Sequence, residues 1–188
     1  MNVTLVRIGG FFGVAVPLLG FVMIFLAIGE SPWFSWTDNA LSDLGVEGFG
    51  SVIFNGGLAM TGSLAMMFFV GLYEFSVGSI VGRVGALLFL AGTFLLVGIG
   101  VFNETYGPIH LYISVAFFFS LALSILISGA FMLRRRMIGL GFLSLLTGAI
   151  AAIVWLMPWR GTAIPETISA LAAGIWSSVL GAWMLRLK

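Results

Sequence analysis

Of the 188 residues, 61% are hydrophobic and only 8% are charged, and the mean hydropathy is +1.19. Soluble domains carry about 25% charged residues to cover their surface, so this composition excludes a soluble protein. The net charge of +1 and the lack of a long basic run argue against nucleic acid as a partner, and the absence of cysteine excludes disulfides, thiolate nucleophiles and cysteine-bound metals.

Six apolar segments are each long enough to cross a bilayer as a helix, which takes about 20 residues. They cover about residues 6–28, 51–73, 84–102, 109–133, 138–157 and 165–186. Because they leave only short connections, we predict an all-α, polytopic membrane protein built as a six-transmembrane-helix bundle. The whole chain, 1–188, then forms a single transmembrane domain, and the lipid bilayer is its first partner.

The connection between spans one and two is the longest polar stretch, and two tryptophans mark the point at which it leaves the bilayer. Thr37 or Asp38 is suited to cap a short helix, and Gly45 to stop it. Leu41 and Leu44 would share one face of this helix. We therefore predict a short external amphipathic helix at the membrane surface.

Basic side chains fall almost entirely on one side of the predicted spans. Seven of the eight lie there: Arg7, Arg83, Arg134, Arg135, Arg136, Arg186 and Lys188. Arg160 is on the other side, where all the acidic residues except Glu74 collect. By the positive-inside rule, we predict a multi-pass protein of the plasma membrane with both termini in the cytoplasm.

Each external connection contributes polar groups to one candidate ligand-binding cluster: Asp38, Ser42, Asp43, Asn55, Glu104, His110, Arg160 and Glu166. Ionisable groups near membrane depth are costly and therefore usually face the protein interior. His110, the only histidine, has a structural interpretation as an interfacial cap. The alternative interpretation is functional: His110 acts as an acid/base group, or it joins carboxylates in binding magnesium or calcium. Either role requires a carboxylate close to the imidazole ring. This second interpretation predicts that Asp43, His110 and Glu166 lie close together.

Several short motifs resemble an uncharacterised prokaryotic membrane family, domain of unknown function 998. They are Ser42-Asp43-Leu44-Gly45, Asn55-Gly56-Gly57, Gly98-Ile99-Gly100-Val101-Phe102 before an acidic turn and a histidine, and Pro165-Glu166-Thr167-Ile168 with Trp176 beyond it. The resemblance implies a multi-span bundle and the shared polar positions Ser42, Asp43, Asn55, His110 and Glu166. It implies no activity. Where that family tends to place an arginine this chain has Thr167, which lacks the charge for an ion pair with Glu166.

Three functions stay open at this point. The first is binding or transport of a cation, a proton or a polar lipid headgroup at the external cluster, although transporters usually place ionisable groups near the midplane and these spans have none. The second is an accessory or structural role without a ligand, with possible homo-oligomers formed through small-residue helix faces such as Gly9 and Gly13. The third is an interfacial lipid hydrolase using Ser42, His110 and carboxylates, although no nucleophile motif such as G-x-S-x-G is present. The sequence assigns no catalytic residue, cofactor or metal.

Overall fold

The computed structural model describes all 188 residues, and helices make up nearly all of it. The six long helices are α1 (Val3–Gly29), α2 (Gly48–Phe75), α3 (Ile80–Val101), α4 (Pro108–Arg134), α5 (Ile138–Ile153) and α6 (Ala163–Met184). Three short 3-10 turns, Ser42–Gly45, Glu104–Tyr106 and Val154–Leu156, lie between them. Each long helix, α5 with its adjoining 3-10 turn, is long and apolar enough to cross a membrane. The prediction of six spans is confirmed.

Local sequence signals set several of the helix starts. The Asn2 side chain accepts hydrogen bonds from the backbone N–H groups of Thr4 and Leu5, and Ser79 accepts one from Gly82. Pro108 begins α4, where its missing N–H has no helical partner to lose. With these caps, α1 begins at Val3 and α3 at Ile80, a few residues before the predicted apolar spans. A side-chain cap satisfies the free N–H groups of the first helical turn, so the helix can start before the apolar run.

The helices form a closed ring in chain order. Each packs against the next, and α6 returns to pack against α1. The centre of the ring is aromatic: the Phe68 ring meets those of Phe89 and Trp176 with centroids 5.3 and 5.6 Å apart. The indole N–H of Trp176 donates to the Ser144 hydroxyl at 3.0 Å, so the fully buried tryptophan leaves no polar atom unpaired.

Glycines bring α1 close to both of its neighbours. A Cβ on Gly9 would lie 2.5 Å from the Cα of Gly71 in α2, and one on Gly10 would lie 2.7 Å from the carbonyl oxygen of Gly181 in α6. Only glycine allows backbones to approach this closely. The small-residue face predicted on α1 is therefore used for packing within the chain.

The bundle has two chemically different ends. The polar end carries the connections 30–47, 102–107 and 157–162, and the arginine end carries both termini and the short turns after α2 and α4. At the arginine end the backbone N–H of Asn2 donates to Glu74, and Arg135 donates to the carbonyl of Val77 at 2.9 Å. The predicted separation of basic and acidic side chains thus corresponds to the two ends of the bundle.

The amphipathic helix expected between Asp38 and Leu44 is not present. Only the single 3-10 turn Ser42–Gly45 forms there. The reason is local: Asn39 Oδ1 accepts from the Ser35 N–H at 2.9 Å, and Asp43 Oδ2 accepts from the Ala40 N–H at 2.9 Å. Such side-chain bonds satisfy the backbone without helix and compete with it.

Candidate functional site

The first and third connections of the polar end are held together by backbone hydrogen bonds. Gly161 N–H donates to the carbonyl of Thr37, and Ala163 N–H donates to that of Asn39, both at 2.9 Å. A Cβ on Gly161 would lie 2.5 Å from the Asn39 carbonyl oxygen, so the close approach needs a glycine there. The first and third connections therefore form one surface.

Two side-chain contacts extend this surface to all three connections. The Ser42 hydroxyl donates to Glu104 Oε1 at 2.7 Å, which joins the first connection to the second. Leu41 N–H donates to Glu166 Oε2 at 2.6 Å, which joins the first connection to α6. Both glutamates are partly buried. Carboxylates that accept such bonds are held in fixed positions rather than left to move in solvent.

Asp38 and Asp43 stabilise the conformation of the first connection through hydrogen bonds within it. Asp38 Oδ2 accepts from the Ser35 and Thr37 hydroxyls at 2.7 and 2.8 Å, and its other oxygen lies 3.8 Å from Arg160. Asp43 accepts from the Asn39 side-chain amide at 2.7 Å. The Asp38–Arg160 pair is largely exposed, with the Arg160 side chain 84% accessible, so solvent screens it strongly.

Asn55, in α2, holds the end of the first connection in place. Its Nδ2 donates to the Gly45 carbonyl at 2.8 Å, and the Asn103 amide donates to the same oxygen at 3.0 Å. One carbonyl oxygen has two lone pairs and accepts both bonds. Asn55 Oδ1 is buried without a hydrogen-bond partner. The role of Asn55 in this arrangement is to fix the 3-10 turn on top of α2.

His110 is buried in the first turns of α4. Its Nδ1 lies 2.8 Å from the Phe102 carbonyl oxygen, and its Nε2 lies 3.3 Å from the Ser114 hydroxyl. A carbonyl oxygen only accepts, so Nδ1 carries the proton and Nε2 accepts from Ser114 in the neutral ring. Both ring nitrogens are thereby engaged within the protein.

A side cavity of about 600 Å³ lies between the polar-end halves of α4 and α5. Four of the predicted site residues line its polar part: Ser42, Glu104, His110 and Glu166. We refer to these four as the head cluster. The rest of the lining is mostly apolar, and three wall residues of α4, Leu111, Val115 and Phe119, are 59%, 60% and 69% exposed. The cavity therefore opens sideways, on the face that membrane lipid covers.

A smaller central cavity of about 170 Å³ lies inside the ring, enclosed by every long helix except α5. Ser42, Ser114, Phe118 and Glu166 line both cavities. The Thr61 hydroxyl, on the wall of the central cavity, has no hydrogen-bond partner. The two cavities thus meet at Ser42 and Glu166 of the head cluster and at Ser114 and Phe118 of α4.

The structure divides the predicted cluster in two. Ser42, Glu104, His110 and Glu166 share the side cavity, whereas Asp38, Asp43, Asn55 and Arg160 do not line it. His110 and Glu166 both line this cavity, and their predicted proximity stays a prediction. Asp43 lies against Glu104 and outside the cavity lining. No three histidine or acidic groups are arranged to hold a metal ion, so we assign no metal site.

Three further lining residues were not singled out from the sequence: Ser114, Trp155 and Thr162. Ser114 had a detectable signal, because it stands four residues after His110 and thus on the same helix face. Trp155 and Thr162 had none, since they reach the cavity only through the packing of α5 and the third connection.

The pKa values of the acids follow their surroundings. Hydrogen bonds from Ser35 and then Thr37 hold the pKa of Asp38 below its usual range. Partial burial works to raise the pKa of Asp43, but hydrogen bonds with Glu104, Asn39 and Ala40 outweigh it and lower the value. Burial is the main cause that raises the pKa of Glu104; the Ser42 hydroxyl opposes it, and the adjacent Asp43 adds to it. Of this neighbouring pair, Asp43 therefore ionises at a lower pH than Glu104.

Six membrane-spanning helices with a polar cluster at one end define an integral, multi-pass membrane protein. A family model described as "Protein of unknown function (DUF998)" matches residues 14–183, and the chain belongs to this family. No curated protein and no solved structure matches the chain. The family assignment agrees with the resemblance noted in the short motifs.

Proposed function

We propose that this protein binds an amphiphile from the surrounding membrane, with the polar headgroup at the head cluster and the apolar part in the side cavity. The supporting observation is the form of the side cavity, which runs from fixed polar side chains to an apolar wall exposed to lipid. Its volume of about 600 Å³ falls in the range of small-molecule sites, about 300–1,000 Å³. Such a cavity suits a ligand that is polar at one end only.

The proposal is for binding rather than for transport across the membrane. Apart from His110 at the start of α4, the buried polar side chains of the spans are hydroxyls such as those of Thr61, Ser124 and Ser144, and none of these ionises. Transporters generally place ionisable coupling groups near the midplane. The head cluster instead lies at the helix ends, where a headgroup in the interface reaches it without leaving its own layer of the membrane.

Lipid retention by a cavity-filling variant tests this function. Ala152 lines the side cavity and is accessible, so Ala152→Trp should occupy its volume. Ala91, exposed on α3 and outside both cavities, supplies the control Ala91→Trp. We expect native mass spectrometry to find bound lipid on the wild type and on Ala91→Trp, and much less on Ala152→Trp. Equal retention by all three proteins, or none by any, would favour an accessory role without a ligand.

Hydrolysis of a bound lipid ester is a second candidate, favoured by one observation. Ser42 donates to Glu104 at 2.7 Å, and a serine hydroxyl paired with a carboxylate is the first requirement for an activated nucleophile. His110 is engaged by Phe102 and Ser114, so Glu104 is the base in this candidate. Release of fatty acid from added phospholipid that disappears in Ser42→Ala, while lipid binding persists, would establish it.

We further propose that the polar end faces outward from the plasma membrane, with both termini in the cytoplasm. The support is the concentration of lysine and arginine at the arginine end, which the positive-inside rule assigns to the cytoplasm. In this orientation the head cluster draws its ligand from the outer leaflet. Association into homo-oligomers through the remaining small-residue faces also stays a prediction.

A further inference from the structure

The electrostatics of the side cavity indicate which kind of headgroup it accepts. We infer that the bound amphiphile is a lipid whose headgroup carries a protonated amine. This inference rests on the proposed function, because it names the ligand class for the same cavity. It is carried by the combination of a lipid-open apolar cavity and a polar part that contains carboxylates without a balancing cation.

The lining is acidic at its polar end. Among the 16 lining residues the ionisable groups are Glu104, Glu166 and His110, with no lysine or arginine. Both carboxylates are partly buried, where an unpaired negative charge is costly. A phosphate or carboxylate headgroup without a cation would add to this charge, whereas an ammonium group would offset it.

No lysine or arginine of the chain itself performs that role. Arg160, the only one at the polar end, is 84% exposed and lies against Asp38 rather than against the head cluster. The remaining lysine and arginine residues are at the arginine end of the bundle. The head cluster therefore has two carboxyl groups and no lysine or arginine to pair with them.

The geometry also favours a group that donates hydrogen bonds. Glu104 Oε1 and Glu166 Oε2 are already fixed by Ser42 and by the Leu41 N–H, so their positions do not depend on a ligand. A primary ammonium has three donors for such acceptors, and a quaternary ammonium has none.

The apolar part of the cavity fixes the orientation of the lipid. Val115, Phe118 and Phe119 follow one another down the wall of α4, away from His110 and toward the bilayer centre. An acyl chain along this wall places the headgroup at the membrane surface, where the head cluster lies. The amine therefore reaches the glutamates without tilting the lipid out of its leaflet.

The experiment compares three phospholipids with identical acyl chains: phosphatidylethanolamine, phosphatidylcholine and phosphatidylglycerol. Each is titrated onto delipidated, detergent-purified protein, and binding is measured by native mass spectrometry and by the shift in melting temperature. We expect phosphatidylethanolamine to bind about tenfold or more tightly than phosphatidylglycerol, with phosphatidylcholine between them, since a charge-assisted hydrogen bond in a partly buried site has about this effect.

Matched variants identify the source of the preference. Glu104→Gln with Glu166→Gln keeps acceptors for Ser42 and Leu41 but removes the charge, so the preference should fall to about twofold or less. Glu47→Gln is the control, because Glu47 is exposed at the same end and outside the cavity. It should keep the full preference.

The outcomes separate this inference from the proposed function. Equal binding of all three lipids, or a preference for phosphatidylglycerol, would overturn the amine inference and leave lipid binding intact. A preference that survives in the double variant would also overturn it. Failure of every lipid to bind would overturn both. The comparison of lipids on the wild type needs no variant, so it decides the matter even if the double variant is unstable.

Discussion

Glu104 contacts residues from several parts of the polar end. Its carboxyl group accepts from Ser42, borders Asp43 and lines the same cavity as His110 and Glu166. Burial raises its pKa, and the hydrogen-bonded partner Asp43 has a lowered one. The two acids of one pair should therefore affect stability with opposite dependence on pH.

For Glu104 the raised pKa means that ionisation opposes folding. Its contribution to stability is complete below its ordinary value, near 4.5, and is lost as the pH rises through the higher folded value. We expect the melting temperature of the wild type to fall relative to that of Glu104→Gln between about pH 4 and about pH 8. Asp43→Asn should show the reverse trend only below about pH 4, because the lowered pKa of Asp43 stabilises the fold above its ordinary value of 3.8 and that effect is lost as the pH falls further. If the curves of melting temperature against pH were parallel for both variants and for the control Glu47→Gln, the opposite pKa shifts of Glu104 and Asp43 would be contradicted.

The acidic residues of the polar end have different structural roles, and their sequence context does not distinguish these roles. Asp38 and Asp43 satisfy donors within four residues of themselves, whereas Glu104 and Glu166 bind groups 62 and 125 residues away. Because short-range bonds from side chains to the backbone satisfy this segment, it forms turns where the sequence predicted an amphipathic helix. Thr167 shows the opposite case: its hydroxyl donates to the Ala163 carbonyl at 2.7 Å, a helical back-bond that its sequence position alone suggests.

At the scale of the helices, close approach at glycine decides how α1 fits. Gly9 faces Gly71 with no room for a side chain, whereas a Cβ on Gly56, also within a helix, would meet no heavy atom within 4 Å. The sequence contains 26 glycines, and spacing alone does not separate these two kinds. Their difference appears only once the helices are placed side by side.

The pair Gly9→Ala and Gly56→Ala tests this packing. We expect Gly9→Ala to lower the free energy of unfolding by about 1–3 kcal/mol, because α1 must move away from α2. Gly56→Ala should be neutral or raise it by up to about 1 kcal/mol, because alanine favours helix. Thermal or denaturant unfolding in the same detergent provides the measurement. Equal effects of the two substitutions would show that the contact between α1 and α2 is not tight.

For the whole molecule, hydropathy and charge were sufficient for the architecture. The six spans and the chemical contrast between the two ends are read from apolar length and from where charges interrupt it. The two cavities were not predictable, because their walls come from several helices and two connections whose packing no single segment encodes. Four of the eight candidate site residues line one cavity, but the cavity itself was not predicted from the sequence.

The orientation of the bundle is testable because the chain has no cysteine. Thr105→Cys introduces one thiol at the exposed polar end, and Arg134→Cys introduces one at the arginine end. In intact cells, a membrane-impermeant maleimide should label the first variant alone. Both should react after the membrane is opened. Labelling of the Arg134 variant from outside would reverse the proposed orientation.

The backbone bonds between the first and third connections also have a consequence for biosynthesis. Thr37 and Asn39 leave the ribosome long before Gly161 and Ala163, their hydrogen-bond donors, and α1 waits equally long for α6 to close the ring. Until then the first loop lacks its partners and both cavities lack a wall. The proposed binding site is therefore completed by the last helix to be inserted, so a nascent chain halted before α6 has its early helices in the membrane but lacks the proposed site.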